Sequence, residues 1–274
     1  MLRSTFCCFR GIDQAKEQRL WERGILRWDD VAAGGDSRFG AVALRSLRPQ
    51  IGEASRALEH HIPDYFLRRL DGLSRLRLLH DFRGDTVYLD IETTGLAPAA
   101  EITIITVYNG RRVNVYVSGS NLDEFLSEVA EIGVMVTYNG TRFDLPRLRK
   151  RFGIDLAMPH LDLCPILQMI GYYGDLKACE RLLGIARPPE MTVDGAEAVR
   201  LWEEYSHGHD RAILIRLIWY AALDVVNLER ICGILYRKSM AQFPIDIPFP
   251  SPERIPVYWG NELIFDNCIT IQNV

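Results

Sequence analysis

One stretch constrains this chain more than any other: Thr86 to Leu96, which reads TVYLDIETTGL. Its first residues are β-branched, aromatic or aliphatic, and they predict a strand buried on both faces. Asp90 and Glu92 interrupt this strand two residues apart. Because side chains alternate along a strand, both acids point to the same side, roughly 7 Å apart along it. Two carboxylates in a mostly dry place repel each other unless a cation or a shared proton compensates.

The sequence around this acid pair leaves two interpretations open. Either the strand ends at Asp90 and both carboxylates lie in water, or the acids bind a divalent cation. Carboxylate oxygens are hard ligands that suit Mg²⁺ or Mn²⁺. The following turn, Thr93 to Leu96, contains Gly95, which permits the backbone to approach a ligand closely.

Three further polar residues stand out later in the chain. Asp144 ends the segment YNGTRFD and precedes Leu145-Pro146, so in isolation it is typical of a helix N-cap. Asp224 lies in a long apolar helix predicted from 211 to 237, where a single acid is costly to bury without a partner. Tyr220 precedes it by four residues and therefore shares its helix face. Asp162, in the predicted strand HLDL, is either an acid facing water or a support for a site.

Composition narrows the class of protein. Of the 274 residues 48% are hydrophobic and 25% charged, as in ordinary globular proteins, and the formal net charge of -4 gives no bulk positive field. The 6 cysteines show no CxxC pairing, which favours reduced thiols in a cytoplasmic protein. We see no signal peptide and no apolar run of transmembrane length, so no membrane association is expected.

The chain divides into three predicted regions. Residues 1–83 are arginine-rich and helical, and two Gly-Ile turns resemble half of a helix-hairpin-helix module, although Asp13 departs from its glycine pattern. Residues 84–240 show three successive strands, with Asn109-Gly110 as a hairpin turn, and then helices alternating with strands that are expected to be parallel. Residues 241–274 form a proline-rich extension. We therefore predict an α/β chain with a mixed sheet, flanking helices and a helical N-terminal region.

Together these motifs resemble the DEDD superfamily of 3′–5′ exonucleases, which have a ribonuclease H-like fold. The order of Asp90-x-Glu92, Asp144 and Tyr220-x-x-x-Asp224 is similar to the tyrosine (DEDDy) branch, because Tyr220 stands four residues before the last acid. The sequence segments DIETTGL, YNGTRFDLPRL and HLDL resemble the YprB-like group of ribonuclease H-like proteins. This resemblance covers about residues 86–235.

The resemblance implies a site and a reaction. Asp90, Glu92, Asp144 and Asp224 would hold two Mg²⁺ or Mn²⁺ ions, with catalytic roles for Tyr220 and Glu92, and the enzyme would hydrolyse phosphodiester bonds of DNA or RNA. Single-stranded 3′ ends are the expected substrate. Nucleic-acid contacts are expected from seven residues in two loops: Thr93, Thr94, Gly95, Leu96, Asn139, Arg142 and Phe143.

Two other functions remain open on the sequence. One is a nucleic-acid-binding or scaffolding module on a nuclease fold that has no turnover. The other is an endonuclease that uses the same acids for internal cuts. A basic cluster, Arg147 to Arg151, follows Asp144 directly, where a nucleic-acid backbone would need neutralising in any of these cases.

Overall fold

A computed structural model describes residues 1–33, 41–130, 132–189, 191, 193–241, 243–244, 248–249 and 255–266. The chain divides into two compact units. The first unit consists of Met1–Arg83 and Gly233–Pro250, and the second of Gly84–Cys232 and Ser251–Val274. No helix in the described part of the chain has the length and apolar character needed to cross a membrane.

The first unit is helical. Its helices are α1 (Gln14–Glu22), α2 (Trp28–Ala33), α3 (Ala41–Glu59), α4 (Pro63–Leu67) and α5 (Leu78–Asp81). Asp13, the acid that departs from the hairpin pattern, is the N-cap of α1 and accepts a hydrogen bond from the Lys16 N–H at 2.8 Å. Helix capping thereby explains the presence of Asp13, and the helix-hairpin-helix resemblance of this segment stays a prediction.

The second unit is built on one mixed sheet. Its described strands are β1 (Thr86–Thr93), β2 (Ile102–Tyr108), β3 (Val113–Val117), β4 (Val134–Thr137), β5 (His160–Asp162), β6 (Val257–Trp259) and β7 (Glu262–Phe265). The spatial order is β5-β4-β1-β2-β3-β6-β7. β1, β2 and β3 are antiparallel neighbours, whereas β4 pairs in parallel with both β1 and β5. The predicted ribonuclease H-like arrangement is confirmed.

Helices cover this sheet. They are α6 (Phe125–Val129), α7 (Asp144–Phe152), α8 (Leu163–Met169), α9 (Leu176–Leu182), α10 (Gly195–Gly208) and α11 (Arg211–Met240), whose residues up to Cys232 belong to this unit. Leu89 and Ile91 of β1 pack in one hydrophobic core with Leu145 and Leu148 of α7. Because strand side chains alternate, Asp90 and Glu92 face away from that core.

Strand β6, which lies in the region predicted to be a proline-rich extension, pairs with β3 and so extends the sheet. The prolines Pro250 and Pro252 of the expected extension lie outside the described residues.

Candidate active site

Strand β1 presents the acid pair. Asp90 and Glu92 are both partly buried, so neither is left fully in water as a frayed strand end would be. The β1–β4 ladder runs only from Thr86 to Tyr88. Beyond it, the N–H of Ile91, which lies between the two acids, donates a hydrogen bond of 3.2 Å to Asp144 Oδ1. Because the pairing of β1 with β4 ends before this point, the carboxylate of a third acid, Asp144, can lie beside β1.

Asp144 is buried and is the first residue of α7, not its N-cap. The N-cap position is occupied by Phe143, which makes no side-chain cap. The N-cap interpretation is therefore wrong, because the Asp144 carboxylate reaches across to β1. Its negative charge raises the pKa of Asp90 more than the charge of either Asp224 or Glu92 does, so Asp144 belongs to the same acidic cluster.

Helix α11 supplies the fourth acid. One carboxylate oxygen from each of Asp90, Glu92 and Asp224 lies within 4.8 Å of the other two, and these residues form a group that could hold a metal ion. Asp224 is 4% exposed, and Tyr220, one turn earlier on the same face, is 3% exposed. Oxygen donors in this arrangement match the ligand preference of Mg²⁺ and Mn²⁺.

Burial and mutual repulsion perturb these acids. Desolvation, followed by the charges of Asp144, Asp224 and Glu92, raises the pKa of Asp90 well above its usual value. Desolvation and then Asp224 raise the pKa of Glu92 to about 8. Desolvation also raises the pKa of Asp144 to about 7, although hydrogen bonds from backbone N–H groups oppose it. Without a cation, these carboxyl groups hold protons at a pH where free carboxyls are ionised.

Two basic residues that the sequence did not indicate also reach the cluster. Lys177 of α9 contacts the Tyr220 hydroxyl with its ammonium group, which lies 4.3 Å from the centre of the phenol ring. Arg187, in the loop after α9, forms an ion pair with Asp224. The positive charge of Lys177 opposes the raised pKa of both Asp90 and Glu92. No local pattern marks either residue, because each contact joins parts of the chain that are far apart in sequence.

The loop before α7 has a constrained backbone. Asn139 adopts a left-handed φ of 60°, and Asp162 accepts hydrogen bonds from the N–H groups of Asn139 (2.7 Å) and Thr141 (3.1 Å). A Cβ atom on Gly140 would lie 2.1 Å from Thr137 Oγ1, so only glycine fits there. Asp162 is thus an organiser of this loop, in agreement with its interpretation as a supporting acid.

The seven residues expected to contact nucleic acid lie on two loops, one after Glu92 and one before Asp144. In the first, Thr93 Oγ1 donates to Gly95 O at 2.7 Å, and Leu96 is 84% exposed. Arg147 of α7 joins the two loops: it donates to Leu96 O at 3.0 Å, and its guanidinium lies 3.7 Å from the centre of the Phe143 ring. Arg142, in the second loop, is exposed. The two expected contact loops are therefore neighbours.

Comparison with known proteins gives a family match. A family model described as RNase_H superfamily matches residues 87–236, a span that contains the four acids and Tyr220. Among solved structures, the family B DNA polymerase from the hyperthermophilic archaeon Pyrobaculum calidifontis is similar, with 18% sequence identity and a TM-score of 0.43. That match covers 57% of this chain but only 24% of the polymerase chain. No curated protein sequence matches this chain.

Proposed function

Because this chain belongs to the RNase H superfamily, we propose that it is a metal-dependent 3′–5′ exonuclease that hydrolyses phosphodiester bonds of DNA or RNA. One observation carries the proposal: carboxylate oxygens of Asp90, Glu92 and Asp224 lie within 4.8 Å of one another. Like charges gathered in a partly dry place are unfavourable unless cations compensate them. A module that only binds nucleic acid has no chemical need for such a cluster.

The donor set is suited to two Mg²⁺ or Mn²⁺ ions. In this proposal Asp90, Glu92 and Asp224 hold the cations, and Asp144 completes the set directly or through water. When bound, such cations supply positive charge that lowers the pKa of an attacking water and stabilises the leaving 3′ oxygen. The protein contributes a fixed group of oxygens, so that little rearrangement accompanies the reaction.

Tyr220 is proposed to orient the attacking water. Burial, and then the charges of Asp224, Glu92 and Asp90, raise the pKa of this phenol above its usual value, so it stays protonated at neutral pH. A neutral phenol acts through a hydrogen bond and not as a full base. Lys177, in contact with the hydroxyl, restricts its orientation.

The two loops joined by Arg147 are proposed to hold the end of the substrate strand. Thr93, Thr94 and Gly95 would approach the terminal nucleotide, and the exposed Leu96 would wedge between bases. Asn139, Arg142 and Phe143 would contact the nucleotide from the other loop. An unpaired 3′ end is the expected substrate, because a paired end cannot enter a recessed site.

The test is digestion of a 5′-labelled single-stranded oligonucleotide with Mn²⁺, with Mg²⁺ and with EDTA. Asp90→Asn and Asp224→Asn should each lower the rate by at least about 10²-fold, since a lost ligand weakens the charge stabilisation that the cations supply. Asp155→Asn, which changes an exposed acid, is the matched control and should retain the full rate.

Three results would contradict the proposal in different ways. Equal activity in all variants would identify a contaminating nuclease. Cleavage of circular as well as linear strands would indicate an endonuclease. Tight oligonucleotide binding in EDTA, with no cleavage under either metal, would favour the binding or scaffolding module.

A cytoplasmic location is part of the same proposal. The described cysteines are all unpaired thiols, which a reducing compartment maintains; they are Cys7, Cys8, Cys164, Cys179 and Cys232.

A further inference from the structure

A series of buried, hydrogen-bonded polar side chains extends from the acidic cluster towards α9. The Arg187 guanidinium forms an ion pair with Asp224 and also binds Glu180, through Nε at 2.7 Å and Nη2 at 2.6 Å. Asn227 Nδ2 donates to the same Glu180 carboxylate at 3.0 Å. The side chains of Arg187, Glu180 and Asp224 are only 11%, 2% and 6% exposed. These contacts are therefore largely protected from water.

Local structure brings Arg187 back over Glu180. Helix α9 ends in a turn in which Gly184 has a φ of +77° and the Ile185 N–H donates to Glu180 O at 2.9 Å. This is the usual glycine-terminated end of a helix, and it reverses the chain direction. Arg187 follows two residues later, so this turn brings its side chain back beside Glu180.

The charges of Arg187 and Glu180 determine how Arg187 acts on Asp224. A lone cation beside a metal ligand would repel a metal ion. Here the two-pronged contact with Glu180 offsets part of the positive charge of Arg187. The same contact fixes geometry: a planar guanidinium, itself held by two bonds to Glu180, holds Oδ1 of Asp224 in one place.

We propose that Arg187 is a positioning residue for divalent cation binding, and that it fixes the Asp224 carboxylate beside Asp90 and Glu92. This inference rests on the proposed metal site. It adds that the site depends on Arg187, which is not one of the acidic residues. Carboxylates that bind metals are commonly held by such partners, whose removal costs about 10- to 100-fold in metal affinity.

The experiment measures Mn²⁺ affinity of the full chain by calorimetry, without nucleic acid. Arg187→Gln should weaken Mn²⁺ binding about 10- to 100-fold, and Arg187→Lys, which keeps the charge but loses the planar fork, should give an intermediate value. Arg181→Gln, which changes an exposed arginine near the end of α9, is the matched control and should bind Mn²⁺ like the wild type.

Arg187→Gln leaves the Glu180 carboxylate buried without its cation and is at risk of unfolding. The double variant Arg187→Met with Glu180→Gln avoids this risk, because it removes both charges and keeps an acceptor for Asn227. It should show the same loss of Mn²⁺ affinity. An affinity that is unchanged or tighter in the folded variants overturns the proposal, even where the melting temperature in EDTA falls, because a merely structural arginine would produce that result.

This measurement separates the inference from the proposed function. A wild type that binds Mn²⁺ but cleaves nothing refutes the exonuclease, while the loss of affinity in the variants still supports positioning by Arg187. An active wild type whose Arg187 variants bind Mn²⁺ normally refutes the positioning and leaves the exonuclease standing. A wild type that binds no Mn²⁺ overturns both.

Discussion

Tyr220 lies between opposite charges. Its hydroxyl contacts the Lys177 ammonium, and Asp224 follows one turn later on α11. Burial and the neighbouring acids raise its pKa, so the phenol remains neutral and can donate one hydrogen bond. In the proposed site the cations are held by carboxylate oxygens, and a neutral phenol is not part of that donor set. Its contribution should therefore be separable from cation binding.

We expect Tyr220→Phe to lower the single-turnover rate about 10- to 100-fold, because the water it orients becomes misplaced. The Mn²⁺ dissociation constant should change by less than about 2-fold, since the donor set is intact. Rapid-quench kinetics and calorimetry measure the two quantities. Tyr173→Phe, which alters a tyrosine that is 66% exposed, serves as the control. A rate equal to that of the wild type would remove Tyr220 from the reaction.

Helix α7 has basic residues on two sides. Arg147 and Lys150 donate to the carbonyl groups of Leu96 and Pro98, so they lie against the loop that follows Glu92. Neither has a carboxylate partner among the described residues. Arg149, on the same helix, is exposed and acts instead on His160. One side of α7 thus places positive charge beside the proposed path of the nucleic-acid strand.

We expect Arg147→Gln and Lys150→Gln each to weaken binding of a single-stranded oligonucleotide in EDTA, and each to make the negative slope of log affinity against log salt shallower by about 0.7. Arg149→Gln, with the same charge change on the other side, should alter the slope much less. Fluorescence anisotropy at several salt concentrations measures this. Equal slopes for all three variants would mean that α7 attracts the strand only through its total charge.

At the scale of the whole chain, the acidic cluster makes folding depend on pH and on metal. Asp90, Glu92 and Asp144 have a raised pKa in the folded chain without metal, so the folded state binds more protons than the unfolded state. Stability must then fall as pH rises from the usual carboxyl values through about 8. His160, whose pKa burial lowers, acts in the opposite direction only near and below 6.5.

We expect the melting temperature in EDTA to fall between pH 7 and 8.5, and the increase on adding Mg²⁺ to grow over the same interval. The reason is that the cation replaces protons which the acids lose across this range. Differential scanning calorimetry at fixed ionic strength measures both trends. Glu92→Gln should flatten them, because it removes the group whose pKa is about 8. A Mg²⁺ effect that is independent of pH would contradict this account.

Much of the site could be predicted because it follows short periodicities. Alternation along β1 places Asp90 and Glu92 on one side, and a spacing of four places Tyr220 and Asp224 on one helix face. The order of strands and helices, together with the Asn109-Gly110 turn, sufficed for the mixed sheet. Each of these inferences uses residues that are near neighbours in the chain, where backbone geometry alone determines direction.

Contacts between distant segments depended on the tertiary structure. The Asp144 carboxylate bonds to β1 instead of capping its helix, Lys177 meets Tyr220, and β6 pairs with β3. Likewise the Arg187 guanidinium joins Glu180 to Asp224. The sequence by itself determined which acids are available and which way each points along its own element. Packing decided which basic side chains and hydrogen bonds surround these acids, because burial and long-range pairing depend on how whole elements fit together.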